Sequence, residues 1–258
     1  MASRFIGFIL MSVFLVSCAT TGKVAYFENV QDASFKSNLA IVEAPIQRND
    51  ILTISISSLN AEASAMFNPS SAAVTRIASA SGGETLAGGY LVNPDGNVQL
   101  PIIGNVTAAG LTKTQLKEKI TNIILDKKLL VDPIVDIRYL NFEVTVLGEV
   151  AKPTVITVPS EKISLIKALG LAGDLTIYGR RDNVLLIREE NGERVTRHID
   201  LNSSNFLNSE YYYLKPNDVV YVEPNKTKIA SSSRSQQIVP IILSSLSIVV
   251  VVVTALLK

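Results

Sequence analysis

Twenty residues near the C-terminus, Ile238 to Leu257, contain no charged side chain. As a helix rising 1.5 Å per residue they would measure about 30 Å, the thickness of the hydrocarbon core of a bilayer. The chain before them has an ordinary soluble composition, so this segment constrains the fold most. It could be one stave of a pore built by several copies, a single membrane anchor, or a buried core helix.

The polar residues of this tail favour the first possibility. Most of them fall within one sector of roughly 100° on a helical wheel, and Ser245 lies outside it. An apolar helix with one mildly polar stripe suits a ring of helices with lipid outside and water inside. Plain anchors also contain hydroxyls, which then bond to their own backbone, so the anchor stays open. The predicted pore-facing residues are Gln237, Ser244, Ser247, Thr254 and Lys258.

A second apolar segment, Phe5 to Val16, lies near the N-terminus. It has the length of a signal-peptide core and is too short to span a bilayer comfortably. Cys18 follows it and is the only cysteine, so it has no partner for an internal disulfide. We predict a signal peptide over residues 1–17 and covalent lipid on Cys18, with no other cofactor. The residues before it, which resemble the bacterial lipobox, are Leu15, Val16 and Ser17.

The remaining composition excludes several functions. The 24 Lys and Arg residues balance 23 Asp and Glu residues, which leaves no broad basic surface for nucleic acid. His198 is the only histidine and has no cysteine or second histidine with which to bind a metal. Neither a nucleotide-binding loop nor a nucleophile motif is present. The sequence therefore predicts a protein that is not an enzyme and has no metal site.

Residues 41–140 show an α+β pattern. Alternating apolar residues predict a strand over 51–56, and residues 61–89, rich in Ala, Ser and Gly, suggest a mobile loop or insertion. The turn at residues 93–96 should join two short strands. Thr112 should cap a helix that ends near Lys128, with Gln115 completing a capping box. A strand over residues 134–139 follows.

Residues 141–224 form a second predicted unit. It contains two strands, a short helix capped by Ser160, and a hairpin turning at residues 191–192. Its closing segment, Leu214 to Val222, has the same Asn-Asp turn and alternating strand as Arg48 to Ile56. Residues 18–40 read as a lipidated tether, 225–236 as a polar linker and 237–258 as a transmembrane helix.

These elements resemble, in order, the parts of the outer-membrane polysaccharide export family. The first unit resembles the family's export domain at Asp95-Gly96, Leu100-Pro101 and Asp132-Pro133. The second resembles an SLBB domain, a β-grasp module, at Leu147-Gly148-Glu149-Val150 and Ala172-Gly173. The expected fold class is thus α+β, with a small export domain, a β-grasp SLBB domain and a C-terminal transmembrane helix.

The resemblance implies a lipoprotein in the outer membrane, with its body in the periplasm and its C-terminus at the cell surface. Its copies would form a ring, an octamer by the resemblance, that exports capsular polysaccharide or exopolysaccharide. The implied partners are the polysaccharide and an inner-membrane polysaccharide co-polymerase. The alternative is a periplasmic scaffold that binds glycan or a partner and has no pore. Residues that could contact sugar or a neighbouring subunit are Tyr211, Tyr212 and Tyr213.

Overall fold

The computed structural model describes residues 25–27, 43–68, 74–78, 84–190, 192–231 and 234–256. For residues 74–78 and 84–88, and for part of the C-terminal helix, it describes the backbone alone. The predicted lipobox therefore lies outside the described residues.

A three-stranded antiparallel sheet forms the centre of the first domain. Its middle strand is β1 (Ile51–Ser57), which pairs with β4 (Tyr90–Leu91) on one side and with β7 (Ile134–Tyr139) on the other. The alternating sequence of β1 buries Leu52, Ile54 and Ile56, because successive side chains of a strand point to opposite faces. This strand and β7 confirm the sequence predictions.

One helix and one hairpin complete this domain. The hairpin joins β5 (Asn97–Leu100) to β6 (Gly104–Thr107). Helix α2 (Lys113–Asp126) begins at Thr112, whose hydroxyl accepts the Gln115 N–H, while the Gln115 side chain accepts the Thr112 N–H. The predicted capping box is therefore confirmed. The helix packs Leu116, Ile120 and Ile124 into the core.

The segment over residues 61–89, predicted as a mobile loop or an insertion, contains a helix and two strands, so the loop prediction was wrong. Helix α1 (Ala61–Ala65) begins after Asn60, whose side chain accepts the N–H groups of Glu62 and Ala63. Strands β2 (Val74–Ala78) and β3 (Glu84–Gly88) then form an antiparallel hairpin. Small residues hid these elements, because Ala and Ser give no clear hydrophobic period.

The second domain contains a five-stranded mixed sheet in the order β11-β10-β12-β8-β9. Its parallel pair, β8 and β12, lies in the middle, and the other pairs are antiparallel. The strands are β8 (Glu143–Gly148), β9 (Thr154–Thr157), β10 (Gly179–Glu190), β11 (Glu193–Ile199) and β12 (Val219–Pro224). The predicted hairpin is present as β10 and β11.

The short helix of this domain, α3 (Leu165–Leu171), begins later than predicted. Its N-cap is Ser164, whose hydroxyl accepts the Lys167 N–H, and not Ser160. Both serines precede apolar residues, so spacing alone did not distinguish them. Ile163, which lies just before the helix, is buried.

Two helices follow the last strand. The first lies within the predicted linker, and most of the second lies in the segment predicted as a transmembrane helix. They are α4 (Lys226–Ser231) and α5 (Arg234–Leu256). Asn225 begins α4, because its side chain accepts the Lys228 N–H. Among the residues that the structure describes, no helix has the length and apolar character required to cross a membrane. The predicted transmembrane helix over residues 237–258 stays a prediction.

Candidate functional site

Two matching turns lie where the domains meet. In the first domain, the Asp50 carboxylate accepts the Gln47 N–H at 2.7 Å. In the second, the Asp218 carboxylate accepts the Lys215 N–H at 2.8 Å, with the same spacing of three residues. Both aspartates are buried. The similarity between Arg48–Ile56 and Leu214–Val222 therefore reflects one turn built twice.

Both turns place an asparagine in the left-handed region. The φ angles are 69° for Asn49 and 65° for Asn217. Asparagine tolerates this region better than most side chains, which explains the Asn-Asp pairs. The Asn217 side chain lies beside Asp50 and lowers the pKa of its carboxyl group, so one turn contacts the other.

A cleft of about 270 Å³ opens between the domains beside these turns. The Gln47 amide donates to the Glu189 carbonyl across it at 3.0 Å. Lys215 pairs with Glu190 at its edge, at 2.9 Å. Asp50 forms part of the lining as well. The lining of the cleft therefore contains more carboxyl groups than cations.

Glu161 makes a second connection between the domains. Its carboxylate accepts the Tyr139 N–H at 2.6 Å and pairs with the Lys113 ammonium. Tyr139 ends the edge strand of the first sheet, and its ring packs edge-on against Phe142. The junction is thus held by hydrogen bonds and ring packing as well as by the chain connection.

Asp50 has the most perturbed carboxyl group at this junction. Burial raises its pKa to about 6, and the neighbouring Glu189 carboxylate also raises it. Hydrogen bonds from the Gln47 N–H and the Asn217 side chain oppose the shift. An unfolded aspartate has a pKa near 3.9. Between about pH 4 and pH 6 the Asp50 carboxyl group is therefore protonated in the folded protein and ionised in the unfolded chain. The free energy of unfolding falls as the pH rises through this range.

We expect Asp50→Asn to remove this part of the pH dependence. The pKa difference corresponds to a contribution of about 3 kcal/mol to the free energy of unfolding. This contribution is fully present below pH 4 and is lost as the pH rises through 6. Denaturant unfolding of both proteins across this range measures the effect as the difference between their free energies of unfolding. Asparagine retains the oxygen that accepts the Gln47 N–H, so the turn is preserved. A pH-independent difference would contradict the assignment.

A larger cleft of about 950 Å³ lies beside the start of α4. Arg181 lines it and is 7% exposed, with its Nε buried and without a hydrogen-bond partner among the described residues. Oδ1 of Asn202 is buried there in the same way. Arg180 and Glu223 both line this cleft and form an ion pair at 3.1 Å. Neither this cleft nor the junction was predicted from the sequence.

Residues of the predicted tether contact the second domain near this cleft. The Tyr26 hydroxyl donates to the Asp174 carboxylate, and the Tyr26 ring lies 5.1 Å from the Arg181 guanidinium carbon. The Phe27 N–H donates to the Leu201 carbonyl at 3.3 Å. Burial and the Asp174 carboxylate raise the pKa of Tyr26. The chain is therefore fixed to the second domain a few residues after Cys18.

The three tyrosines that were predicted to contact sugar or a neighbouring subunit are half-buried in the second domain. Tyr211 accepts a hydrogen bond from the Arg197 Nε at 3.0 Å. Tyr212 packs against Tyr213 edge-on, with ring centroids 4.9 Å apart. The Lys162 ammonium lies 4.5 Å from the Tyr213 ring centre. These contacts give the tyrosines a packing role, and sugar or subunit contact stays a prediction.

Two of the predicted pore-facing residues are exposed on α5. The hydroxyls of Ser244 and Ser247 donate to the carbonyls of Ile241 and Ser244 at 2.9 and 2.8 Å. The Ser245 hydroxyl bonds to Ile242 in the same way. This pattern is the one expected of a plain anchor, and it is also compatible with a pore. The side chains of the other predicted pore residues, Gln237, Thr254 and Lys258, lie outside the described part.

The described residues contain no group of three or more metal-ligating side chains. His198 lies exposed on strand β11, opposite Leu185 of β10. The described residues thus form a junction between the domains and a separate cleft near the C-terminal helix. Neither is lined by a nucleophile with an adjacent base.

Two family models match the chain. The model described as polysaccharide biosynthesis/export protein matches residues 42–140, and the SLBB domain model matches residues 144–197. Together they cover more than half of the chain, in the order that the sequence motifs predict. They correspond to the two domains on either side of the junction.

Two relatives are similar over the same region. Both are named EPS I polysaccharide export outer membrane protein EpsA, one from Ralstonia solanacearum and one from Ralstonia nicotianae. The first is 26% identical over 141 residues and the second 28% over 146 residues. The matches cover 54% and 55% of this chain but only 37% of either relative.

The chain thus contains an export domain followed by an SLBB domain. The chain belongs to the outer-membrane polysaccharide export family, as its sequence predicts. This family is one of transport components and not of enzymes, which agrees with the prediction made from the sequence.

Proposed function

We propose that this protein is an outer-membrane lipoprotein that exports capsular polysaccharide or exopolysaccharide from the periplasm to the cell surface. The observation that carries the proposal is the family match over both domains, in the order export domain and then SLBB domain. The names of both relatives, which describe outer-membrane polysaccharide export, support the same role.

The proposed conduit is a homo-oligomeric ring whose C-terminal helices together line a pore. One helix cannot enclose a channel, but a closed symmetric ring can. The continuous helix α5, which carries no charged residue after Arg234, supports this arrangement. Neutral hydroxyls, as on Ser244 and Ser247, offer hydrogen bonds to a sugar chain without trapping a charged polymer. An octamer is the expected size by family resemblance.

Export also requires partners, because the chain carries no nucleotide-binding motif that could supply energy. The proposed partner is an inner-membrane polysaccharide co-polymerase, which would deliver the polymer to the ring. The body of the protein would then lie in the periplasm, and the C-terminus would lie at the cell surface.

A periplasmic scaffold without a pore is the second candidate function. It is favoured by the hydroxyl groups of α5, which bond to carbonyls of their own helix, as they do in plain membrane anchors. In that role the SLBB domain would hold glycan or a partner, and α5 would only attach the protein to the membrane.

A deletion strain tests the export proposal directly. We expect surface polysaccharide to disappear while polymer of full length accumulates inside the cell, and a plasmid copy of the gene should restore the surface polymer. Loss of the polymer from all fractions would instead indicate a role in synthesis. Unchanged surface polysaccharide would overturn the proposal.

Lipidation of Cys18 has a separate test. We expect the protein to incorporate labelled palmitate and Cys18→Ser to lose the label completely, because serine has no thiol to receive the lipid. Ser17→Ala is the matched control, since it keeps a small residue before the cysteine and should remain labelled. Palmitate incorporation by Cys18→Ser, or none by the unchanged protein, would contradict the prediction.

A further inference from the structure

The N-terminal segment around Tyr26 and the start of the C-terminal helices contact the second domain on the same side. The Tyr26 hydroxyl is bonded to Asp174, which lies between α3 and β10. At the other end, the Asn225 N–H at the start of α4 donates to the Tyr178 carbonyl at 2.7 Å. Tyr178 is only four residues after Asp174, so the docked N-terminal segment and the root of the C-terminal helices are neighbours.

The length of the connecting chain limits how far this side of the second domain can lie from the proposed lipid on Cys18 and from α5. Cys18 precedes Ala25 by seven residues, which span at most about 25 Å when fully extended. Ser231, the last residue of α4, precedes Arg234 of α5 by three residues, or at most about 11 Å. A lipid on Cys18 and a membrane-inserted α5 would therefore hold this side of the domain close to the bilayer.

Exposed apolar side chains lie at the same place. Ile177 is 71% exposed and Ile229 is 58% exposed, and both line the cleft beside α4. Lys226 is exposed on the same helix, and the Lys228 ammonium lies 5.1 Å from the Tyr178 ring centre. Isoleucine with neighbouring lysines is the composition that suits the headgroup region, where apolar groups insert and ammonium groups meet phosphates.

We propose that this side of the second domain, defined by Ile177, Lys226 and Ile229, is a membrane-docking surface that lies against the periplasmic leaflet of the outer membrane. Its partner is the lipid surface. The inference rests on the proposed lipidation and membrane insertion of α5, but it does not depend on a pore, because a single anchor would impose the same orientation.

Tryptophan fluorescence provides the test, since the chain contains no tryptophan. Single substitutions Ile177→Trp and Ile229→Trp would report on the surface. Ile134→Trp is the matched control, because it replaces an isoleucine that is 63% exposed at the start of β7 in the first domain. Val249→Trp, in α5, reports insertion of the helix itself.

Each full-length acylated protein would be reconstituted into vesicles of phosphatidylethanolamine and phosphatidylglycerol that carry lipids brominated near the headgroup. Val249→Trp would also be placed in vesicles whose lipids are brominated near the ends of the acyl chains, where the middle of a spanning α5 would lie. We expect Ile177→Trp and Ile229→Trp to lose emission intensity relative to the same proteins in unbrominated vesicles. In both kinds of vesicle they should also emit at shorter wavelength than Ile134→Trp. We expect Ile134→Trp to remain unquenched.

The outcomes separate the two proposals. Quenching of Val249→Trp without quenching of Ile177→Trp and Ile229→Trp would overturn the docking surface and leave membrane insertion of α5 intact. Failure to quench Val249→Trp would count against the membrane role of α5. Equal quenching of Ile134→Trp and Ile177→Trp would also overturn the proposal, because the bilayer would then not select this side of the protein.

Discussion

Arg188→Met is expected to destabilise the second domain by about 3–5 kcal/mol, because it leaves a buried carboxylate without its cation. Arg188 donates two hydrogen bonds to Asp218, at 2.8 and 2.7 Å. The side chains of the two residues are 5% and 0% exposed. Burial already raises the pKa of Asp218, and the Arg188 charge opposes that shift. Without the Arg188 charge, nothing offsets the cost of burying the ionised Asp218 carboxylate.

Arg180→Met is the matched control for this change. It removes a cation from the same strand, but Arg180 and its partner Asp182 are 38% and 54% exposed. Exposed pairs contribute about 1 kcal/mol or less. Denaturant unfolding in detergent, followed by circular dichroism, should therefore separate the two variants clearly. Adding Asp218→Asn to Arg188→Met should recover part of the loss. Equal, small effects of the two arginine substitutions would contradict the buried pair.

The second large effect is expected for Gly148→Ala. Gly148 pairs with Val222 in the parallel centre of the sheet and has a φ of +90°. A Cβ atom at this position would lie 2.1 Å from the Val222 carbonyl oxygen, which is backbone and cannot move aside. The clash and the unfavourable φ together should lower the free energy of unfolding by about 3–5 kcal/mol.

Gly104→Ala separates the two contributions. Gly104 has nearly the same φ, +91°, but a Cβ there would meet no atom within 4 Å. Its substitution should therefore show only the backbone strain, about 1–2 kcal/mol. Thermal or denaturant unfolding of both variants measures the difference. If the two alanines proved equally destabilising, the close approach of β8 and β12 at Gly148 would be wrong.

Local chemistry made much of this fold predictable. Thr112 and Gln115 satisfy each other's backbone donors at the start of α2, and this requires only residues close in sequence. The alternation in β1 likewise identified its buried face. The Asn-Asp pairs indicated two similar turns, which the structure shows as the same hydrogen-bonding arrangement around Asp50 and Asp218.

Elements that depend on tertiary contacts were missed or misplaced. The cap of α3 is Ser164 because its backbone pairs with Tyr213 far along the chain, which places the helix start there. The Ala- and Ser-rich segment after β1 has too few large apolar residues for a period to be visible. Its helix begins because the Asn60 side chain caps it.

The functional surfaces were predictable only in part. Cys18 and the uncharged tail stand out because each is a local feature of the sequence. The docking of Tyr26 on Arg181 brings together residues more than a hundred positions apart, and the cleft beside α4 brings together residues about fifty positions apart. Neither has a periodic signal, and no spacing rule relates a residue of the tether to a strand of the second domain.

The most direct test of the proposed pore is the location of the C-terminus. Lys258→Cys would introduce the only free thiol once Cys18 is acylated. Intact cells would be treated with a membrane-impermeant thiol reagent, and the same cells would be treated again after the outer membrane is opened. Labelling of intact cells is the predicted result, since it places the end of α5 outside the outer membrane. Labelling only after opening would leave α5 as an anchor or docking helix and would contradict the pore.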